Sequence, residues 1–334
     1  MMKNSLSAIF LIIGTVVGSG FISGKEIVVF FSRFGAYSFL GIFLTFFFFA
    51  FLFYIILNKG EEALQRLKSS RFSFVINLII CMIFTSAMFA GVNNLLTFDK
   101  IYINFIVLIL ILFVCFIIFK RGLKSLNKLN YFLIPIMLGI LIMIVALKLN
   151  FSPIKFVSSL GEMSFLYSIL YVILNTANSA VLIAEIGKNL NRKQKARVSI
   201  ISALVLMLIL LLVNIVLLQN SSSFVEDMPL ISLFSGWQKV MMNIVVFIGC
   251  ITTLFSLVFV SSSSMRGLCN NEFIIFSISV LMPAMLSLLG FGFIVTYFYP
   301  ITSILGVFLL YDLFFKSLFK RTNQKIHSSS KDTK

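Results

Sequence analysis

Apolar residues fall along this chain in blocks divided by short polar connections, each block close to the roughly 20 residues a helix needs to cross a bilayer. Runs such as Phe46 to Phe53 are apolar on every face of a helix, as expected of a segment surrounded by lipid or by other helices. The period-two alternation of a membrane barrel is absent. This pattern predicts ten spans, near 5–31, 35–57, 72–96, 101–119, 129–147, 164–187, 198–218, 239–264, 273–290 and 293–316. The ninth and tenth are expected to meet in a tight turn at Gly290 and Gly292, and a long connection over 219–238 joins the seventh to the eighth. Two spans are interrupted by polar or flexible residues. The first holds Gly14, Gly18, Gly20 and Gly24 with Lys25 and Glu26 directly behind, and the sixth holds Asn175-Thr-Ala-Asn-Ser179 near its middle.

Composition narrows the class. With 60% hydrophobic and 11% charged residues and a mean hydropathy of +1.09, the 334 residues cannot surround a core with a solvated surface, so the chain is an integral membrane protein. The net charge of +16 would suggest nucleic acid in a soluble chain, but here the charges alternate between faces. About 21 of the 27 basic residues fall on one side of the ten-span arrangement: Lys3, the groups Lys59–Arg71, Lys120–Lys128 and Lys188–Arg197, Arg266, and the tail from Lys316. That excess places both termini in the cytoplasm of a cell membrane and leaves no nucleic-acid role. Lys3 before an apolar run imitates a signal peptide, but the run continues past the glycines without a cleavage site and is expected to be retained. Cys81, Cys115, Cys250 and Cys269 have neither disulfide nor metal spacing. The expected organisation is a first five-helix repeat over 1–148, an external connection over 149–163, a second repeat over 164–316 and a basic cytoplasmic tail over 317–334, solvated near anionic lipids.

Five spans in each half require any repeat to be inverted in the membrane, and both interruptions fall in the first span of a half. Glycine weakens a helix by roughly 1 kcal/mol and an ionisable group at bilayer depth adds a few more, so Gly18, Ser19 and Gly20 read as an unwound segment holding a small ligand. Close packing of helices at small residues is the competing explanation. Asn175, Thr176, Ala177, Asn178 and Ser179 either unwind the sixth span in the same way or serve as polar contacts between helices. Each half has an acid after its interruption, Glu26 and Glu185, and these with Lys25 are candidates for coupling or gating. Thr252, Thr253 and Ser256 on the eighth span offer oxygens to a monovalent cation or bond back to the carbonyl one turn earlier. In the 219–238 connection, Asp227 is expected to cap a short helix with Pro229 in its first turn, forming a lid over the cavity or a helix resting at the interface beside Trp237.

The string Gly18-Ser-Gly-Phe-Ile-Ser-Gly-Lys-Glu26, the ten-span length and the basic loops resemble the YkvI-like family of bacterial membrane proteins, which is similar to the amino acid, polyamine and organocation transporters of LeuT-like fold. The resemblance implies ten helices as two inverted repeats with helices 1 and 6 broken, a substrate carboxylate at Gly18, Ser19 and Gly20, the rest of the substrate at Asn175 to Ser179, and a cation at Thr252 or Thr253. Lys25 stands where the family usually has Gln, and either pairs with Glu26 or turns outward and leaves Glu26 to carry a proton or close an outer gate. The reading is a secondary transporter of a small organic solute, an amino acid or related zwitterion, with sodium or protons as coupling ion and no other cofactor. Its competitors are a ligand-sensing receptor on the same fold and a passive channel. An enzyme is not expected, since the single histidine, His327, lies in the tail and the spans hold no nucleophile or metal constellation; nor does the chain carry a phosphate loop for ATP. Nothing in the chain specifies an oligomeric state.

Overall fold

The structure, a computed structural model, describes residues 2–96, 109–117, 123–149, 161–266 and 269–315, and no strand occurs among them. The helices are α1 (Met2–Val16), α2 (Ser19–Ile22), α3 (Lys25–Phe30), α4 (Tyr37–Ser69), α5 (Arg71–Leu95), α6 (109–117), α7 (Leu123–Ala146), α8 (Ser164–Gly187), α9 (Arg192–Gln219), α10 (Pro229–Ser232), α11 (Gly236–Met265), α12 (Glu272–Leu289) and α13 (Phe291–Phe314). Eight helices, α4, α5, α7, α8, α9, α11, α12 and α13, are long and apolar enough to span a membrane. They match eight of the ten expected spans. The first expected span is the broken run α1 to α3. Most of the fourth lies outside the described residues, as do most of the 149–163 connection and the whole 317–334 tail.

Helix faces separate lipid from core. On α4, Phe43, Phe47 and Phe51 recur every fourth residue and are more than half exposed, whereas Phe49, Phe53 and Ile56 on the other side are buried. At 33 residues α4 is about 50 Å long against a hydrocarbon core of about 30 Å, so its charged end from Lys59 extends well beyond the expected boundary at 57. Glycines let it lie close on α8: a methyl at Gly60 would sit 2.4 Å from the Ala184 carbonyl oxygen, and one at Gly187 would sit 2.5 Å from that of Leu57. Beyond this seam α4 also packs along α9, while α5 and α7 pack on α11. The end of α13 is tied to α4 and α5, where the Arg66 guanidinium donates to the Asp312 carbonyl at 2.9 Å and the Ser73 hydroxyl donates to the Asp312 carboxylate.

Four expectations change. The sixth span is not broken, because α8 is continuous through Asn175 to Ser179. Three side chains there donate to carbonyls one turn back, Asn175 to Tyr171, Thr176 to Val172 and Ser179 to Asn175, so no backbone bond is displaced. The first span is broken twice instead of once, at Val17–Gly18 and again at Ser23–Gly24, with Ser19 and Gly20 inside the helical turn α2. At the α12–α13 turn only Gly290 supplies the geometry, with φ of +90°, while Gly292 lies within α13 against Asp227, whose Oδ1 a methyl would meet at 1.9 Å. Asp227 therefore faces α13 and does not cap α10, which begins at Pro229 without a side-chain cap.

Candidate functional site

The first break opens among buried partners from α5 and α11. Gly18 is extended, and a side chain there would lie 3.2 Å from Met88 and from the Thr253 hydroxyl. The Ser19 hydroxyl meets the Met88 sulfur at 3.4 Å, and Gly91 of α5 leaves room for Ser19 and Cys250. Because α1 ends at Val16, its last carbonyls lack helical partners. The Thr253 hydroxyl donates to one of these freed regions, the Gly14 carbonyl, at 3.1 Å. Beside Gly14 the side-chain amide of Asn130 on α7 is fully buried, with both polar atoms lacking a hydrogen-bond partner. Thr252 and Ser256 instead donate to carbonyls of their own helix, so of the three expected cation residues only Thr253 reaches the break.

After the break, α2 and α3 carry Gly20 and Glu26 toward α8 and α13. The Glu26 carboxylate is buried, accepts from the Asn175 amide at 3.0 Å, and faces Gly20 so closely that a methyl there would lie 2.6 Å from Oε2. The Tyr299 ring closes the same space, stacked on Phe84 with centroids 4.5 Å apart. Tyr171, one turn before Asn175 on α8, is held edge-on by Phe31 at 4.8 Å and Phe30 at 5.6 Å. The phenol oxygens of Tyr171 and Tyr299 and the amide oxygens of Asn175 and Asn178 are buried without hydrogen-bond partners, a state that costs about 1–3 kcal/mol for each such group. Ala177 packs beside Gly306, and Thr176 and Ser179 stay bonded within α8. The tyrosines escape the sequence reading. Tyr171 carries one clue, its place four residues before Asn175 on the same helical face.

Lys25 and Glu26, adjacent in sequence, point apart. Lys25 reaches away from Glu26 to the segment over 221–235, where its ammonium donates to the carbonyls of Glu226 at 2.7 Å and Phe224 at 3.3 Å. The same segment is pinned at the second break by the Leu230 amide, which donates to the Ser23 carbonyl at 2.7 Å. Gly24 makes this approach possible: its φ is +82°, and a methyl would lie 3.3 Å from the Leu230 nitrogen. Nearby, Asn214 of α9 accepts from Ser32 and donates to Ser38, both at 2.8 Å, fixing the turn between α3 and α4. Trp237, at the start of α11, is largely exposed.

Glu185 sits apart from these groups. It forms a partly exposed ion pair with Lys188 at 2.9 Å, on the wall of an open cavity of about 530 Å³ that also presents Glu61, Gln65, Lys68, Ser263 and Ser264. It does not mirror Glu26 as a buried acid. The four cysteines are free, and no group of three or more potential metal ligands occurs among the described residues.

No family model matches the chain. It is similar to the uncharacterized protein YyaD of Bacillus subtilis strain 168, with 24% identity over 319 residues, 90% of this chain and 93% of that protein. It is also similar to the uncharacterized membrane protein YkvI of the same organism, with 30% identity over 162 residues, 45% of this chain and 47% of that protein. With its apolar helices, these likenesses make the chain a multi-pass membrane protein.

Proposed function

We propose that this membrane protein is a secondary transporter that moves a small organic solute by alternating access, with the break between α1 and α2 as the floor of its site. The observation that carries the reading is the break itself. Glycine and freed backbone groups meet the Thr253 hydroxyl and the unpartnered Asn130 amide there, and the buried Glu26 carboxylate lies just beyond, against Gly20. Such groups are costly to bury in a bilayer protein unless something completes them.

Packing supports two inverted repeats of five, the arrangement of the LeuT-like fold. Exchanging each span for the one five places later turns the α4–α8 contact into α9–α1, α1–α7 into α8–α13, and α7–α11 into α13–α5; the α4–α9 and α5–α11 contacts map onto themselves. All of these contacts are present. The repeat extends to helix order and neighbours but not to unwinding, since α8 is intact. In this reading the ten spans run with both termini in the cytoplasm of the cell membrane. The Lys25-latched segment over 221–235 is the closed outer lid, and the cavity at Glu61, Glu185 and Lys188 is the inner vestibule. The Thr253 hydroxyl on the Gly14 carbonyl and the buried Asn130 amide support a coupling cation beside the break, and Glu26 supports a proton. The partners are the solute and the bilayer, and no catalytic chemistry is assigned.

Flux decides it. Purified protein in sealed vesicles is given labelled amino acids and amines under an imposed sodium or proton gradient. Saturable accumulation that collapses with the gradient is expected. Binding without flux would make the protein a receptor, and a non-saturating leak indifferent to gradients would make it a channel.

A further inference from the structure

We propose that the groove between α4, α8 and α13 is a seat for one acyl chain of an anionic phospholipid, whose phosphate is held by Arg66 and Lys59. The groove encloses about 300 Å³ on the outer surface of three helices that are each long and apolar enough to cross a membrane. Val172 of α8 and Leu310 of α13 line its floor and are buried, while Phe51 of α4 and Val307 and Tyr311 of α13 stand at its rim, about half exposed. No polar surface opens into it, so neither water nor a polar solute has a partner there. Nor does it lead inward. Gly306 lets α13 close on α8 behind the groove, where a methyl would lie 3.0 Å from both Ile173 and Ala177. The occupant therefore enters from the lipid side.

Lipid tails are as apolar as these walls, so burial alone does not fix a chain in place. Shape and charge do. An unfilled cleft costs its walls the contacts they would make, and a single flexible chain fits where a helix about 10 Å across does not. Charge is set at one end. Directly beyond Tyr311, the Arg66 guanidinium donates to the Asp312 carbonyl at 2.9 Å and the Lys59 ammonium to the Phe314 carbonyl at 3.1 Å. Two cationic heads from α4 thus meet the end of α13 within a turn of the groove. A neutral carbonyl orients the Arg66 head without cancelling its charge, and its planar N–H groups suit a phosphate. The Asp312 carboxylate is turned to the Ser73 hydroxyl of α5. Lys59 follows Leu52, a residue of the groove wall, by two helical turns or about 10 Å on the same stripe of α4. It stands just past the expected end of that span, at the depth of lipid headgroups. A phosphate at this level hangs its acyl chain along Leu52 and Ile173. A zwitterionic lipid brings its own cation beside the phosphate, so an anionic lipid is preferred.

The test uses the full-length protein, stripped of lipid in detergent, with thermal unfolding followed against phosphatidylglycerol and phosphatidylethanolamine carrying identical acyl chains. Phosphatidylglycerol is expected to raise the midpoint at a concentration about fivefold or more below that of phosphatidylethanolamine, the preference a nearby cation gives. Arg66→Gln, which keeps a donor for the Asp312 carbonyl, is expected to remove most of that preference. Val307→Trp, which fills the groove from its rim, is expected to weaken both lipids by a few-fold relative to Leu288→Trp, a largely exposed site on α12 away from the groove. Lys59→Gln is a third variant, so that a folding defect in one does not decide the matter. Equal stabilisation by the two lipids in the parent overturns the seat. A preference for phosphatidylglycerol that survives Arg66→Gln, Lys59→Gln and Val307→Trp also overturns it, since the lipid then binds elsewhere. Loss of an oligomer in Val307→Trp, seen by light scattering with lipid binding unchanged, assigns the groove to a second copy of the chain and overturns it as well. None of these outcomes touches the flux that decides the transporter reading.

Discussion

Lys25→Met tests whether the 221–235 segment is a lid held by the first span. Lys25 is only 8% exposed, and its ammonium makes one short bond, 2.7 Å to the Glu226 carbonyl, and one long bond, 3.3 Å to that of Phe224. Hydrogen bonds from a charged donor contribute about 1.5–3 kcal/mol each, the longer one near or below the lower end. Immobilising a lysine side chain returns about 1.5–2 kcal/mol of that as lost rotamer freedom. The balance is about 2 kcal/mol in favour of the closed lid, since the remaining Leu230–Ser23 bond is common to both proteins. Methionine keeps an unbranched apolar stem, so what is removed is the ammonium with its two hydrogen bonds. A change of about 2 kcal/mol shifts the ratio of open to closed lid by about 30-fold. Cys250 reports that shift, because it is fully buried beside Ser19 and Gly91 at the first break. With Cys81, Cys115 and Cys269 replaced by serine, intact cells are exposed to a membrane-impermeant thiosulfonate. Cys250 in the Lys25→Met variant is expected to label about 30-fold faster where opening limits the rate, with Lys25→Arg close to the parent. Equal rates in parent and Lys25→Met, with Cys250 reactive in denaturant, would refute the latch.

Three further substitutions probe the scaffold and the break. Gly60→Ala forces a methyl to 2.4 Å from the Ala184 oxygen, where backbone has no room to move, and is expected to lower stability by about 1–3 kcal/mol, read as a lower unfolding midpoint. Asn214→Leu strips partners from Ser32 and Ser38 at the α3–α4 turn and is expected to cost about 1–2 kcal/mol, whereas Asn220, whose side chain donates to the Val216 carbonyl of the preceding helix, should tolerate leucine in the same melt. Thr253→Val removes the hydroxyl on the Gly14 carbonyl; if a cation sits there, the parent melts higher in sodium than in choline chloride and the variant does not, while a purely structural role would lower both melts equally by about 0.6 kcal/mol.

The span pattern and the broken first segment are legible in the sequence because each depends on local chemistry. Lipid selects the long apolar runs, and glycines beside charges mark backbone that is not simply helical. What fails is what depends on neighbours. Asn175 to Ser179 look able to unwind a helix, yet hydroxyls and amides that reach the carbonyl one turn back leave it intact, and sequence does not decide between those outcomes. Asp227 looks like a helix cap but is drawn to the bare backbone at Gly292, on a helix more than sixty residues away. Tyr171 and Tyr299 are invisible for another reason. Among 40 phenylalanines and 9 tyrosines an aromatic carries no signal until its hydroxyl is seen to be buried without a partner. The sequence leaves two fates open to Lys25, and only the position of the 221–235 segment selects between them.

The divergence of Lys25 and Glu26 has a thermodynamic consequence. They share α3, a helix of six residues, too short to persist on its own and therefore positioned by what it touches. On one side that is the lid, through Lys25; on the other it is Asn175, through Glu26. Any ligand at Glu26 that prefers one position of α3 must shift the lid, and any change at the lid must shift affinity at Glu26 by the same factor. If a saturating solute slows Cys250 labelling by some factor in the parent, an open lid must weaken that solute by the same factor. Measuring labelling with and without ligand, and ligand affinity in the parent and in the Lys25→Met variant, yields two independent values of one coupling energy. Unequal values mean that the lid and Glu26 do not communicate through α3, and that the two residues are neighbours in sequence without being parts of one device.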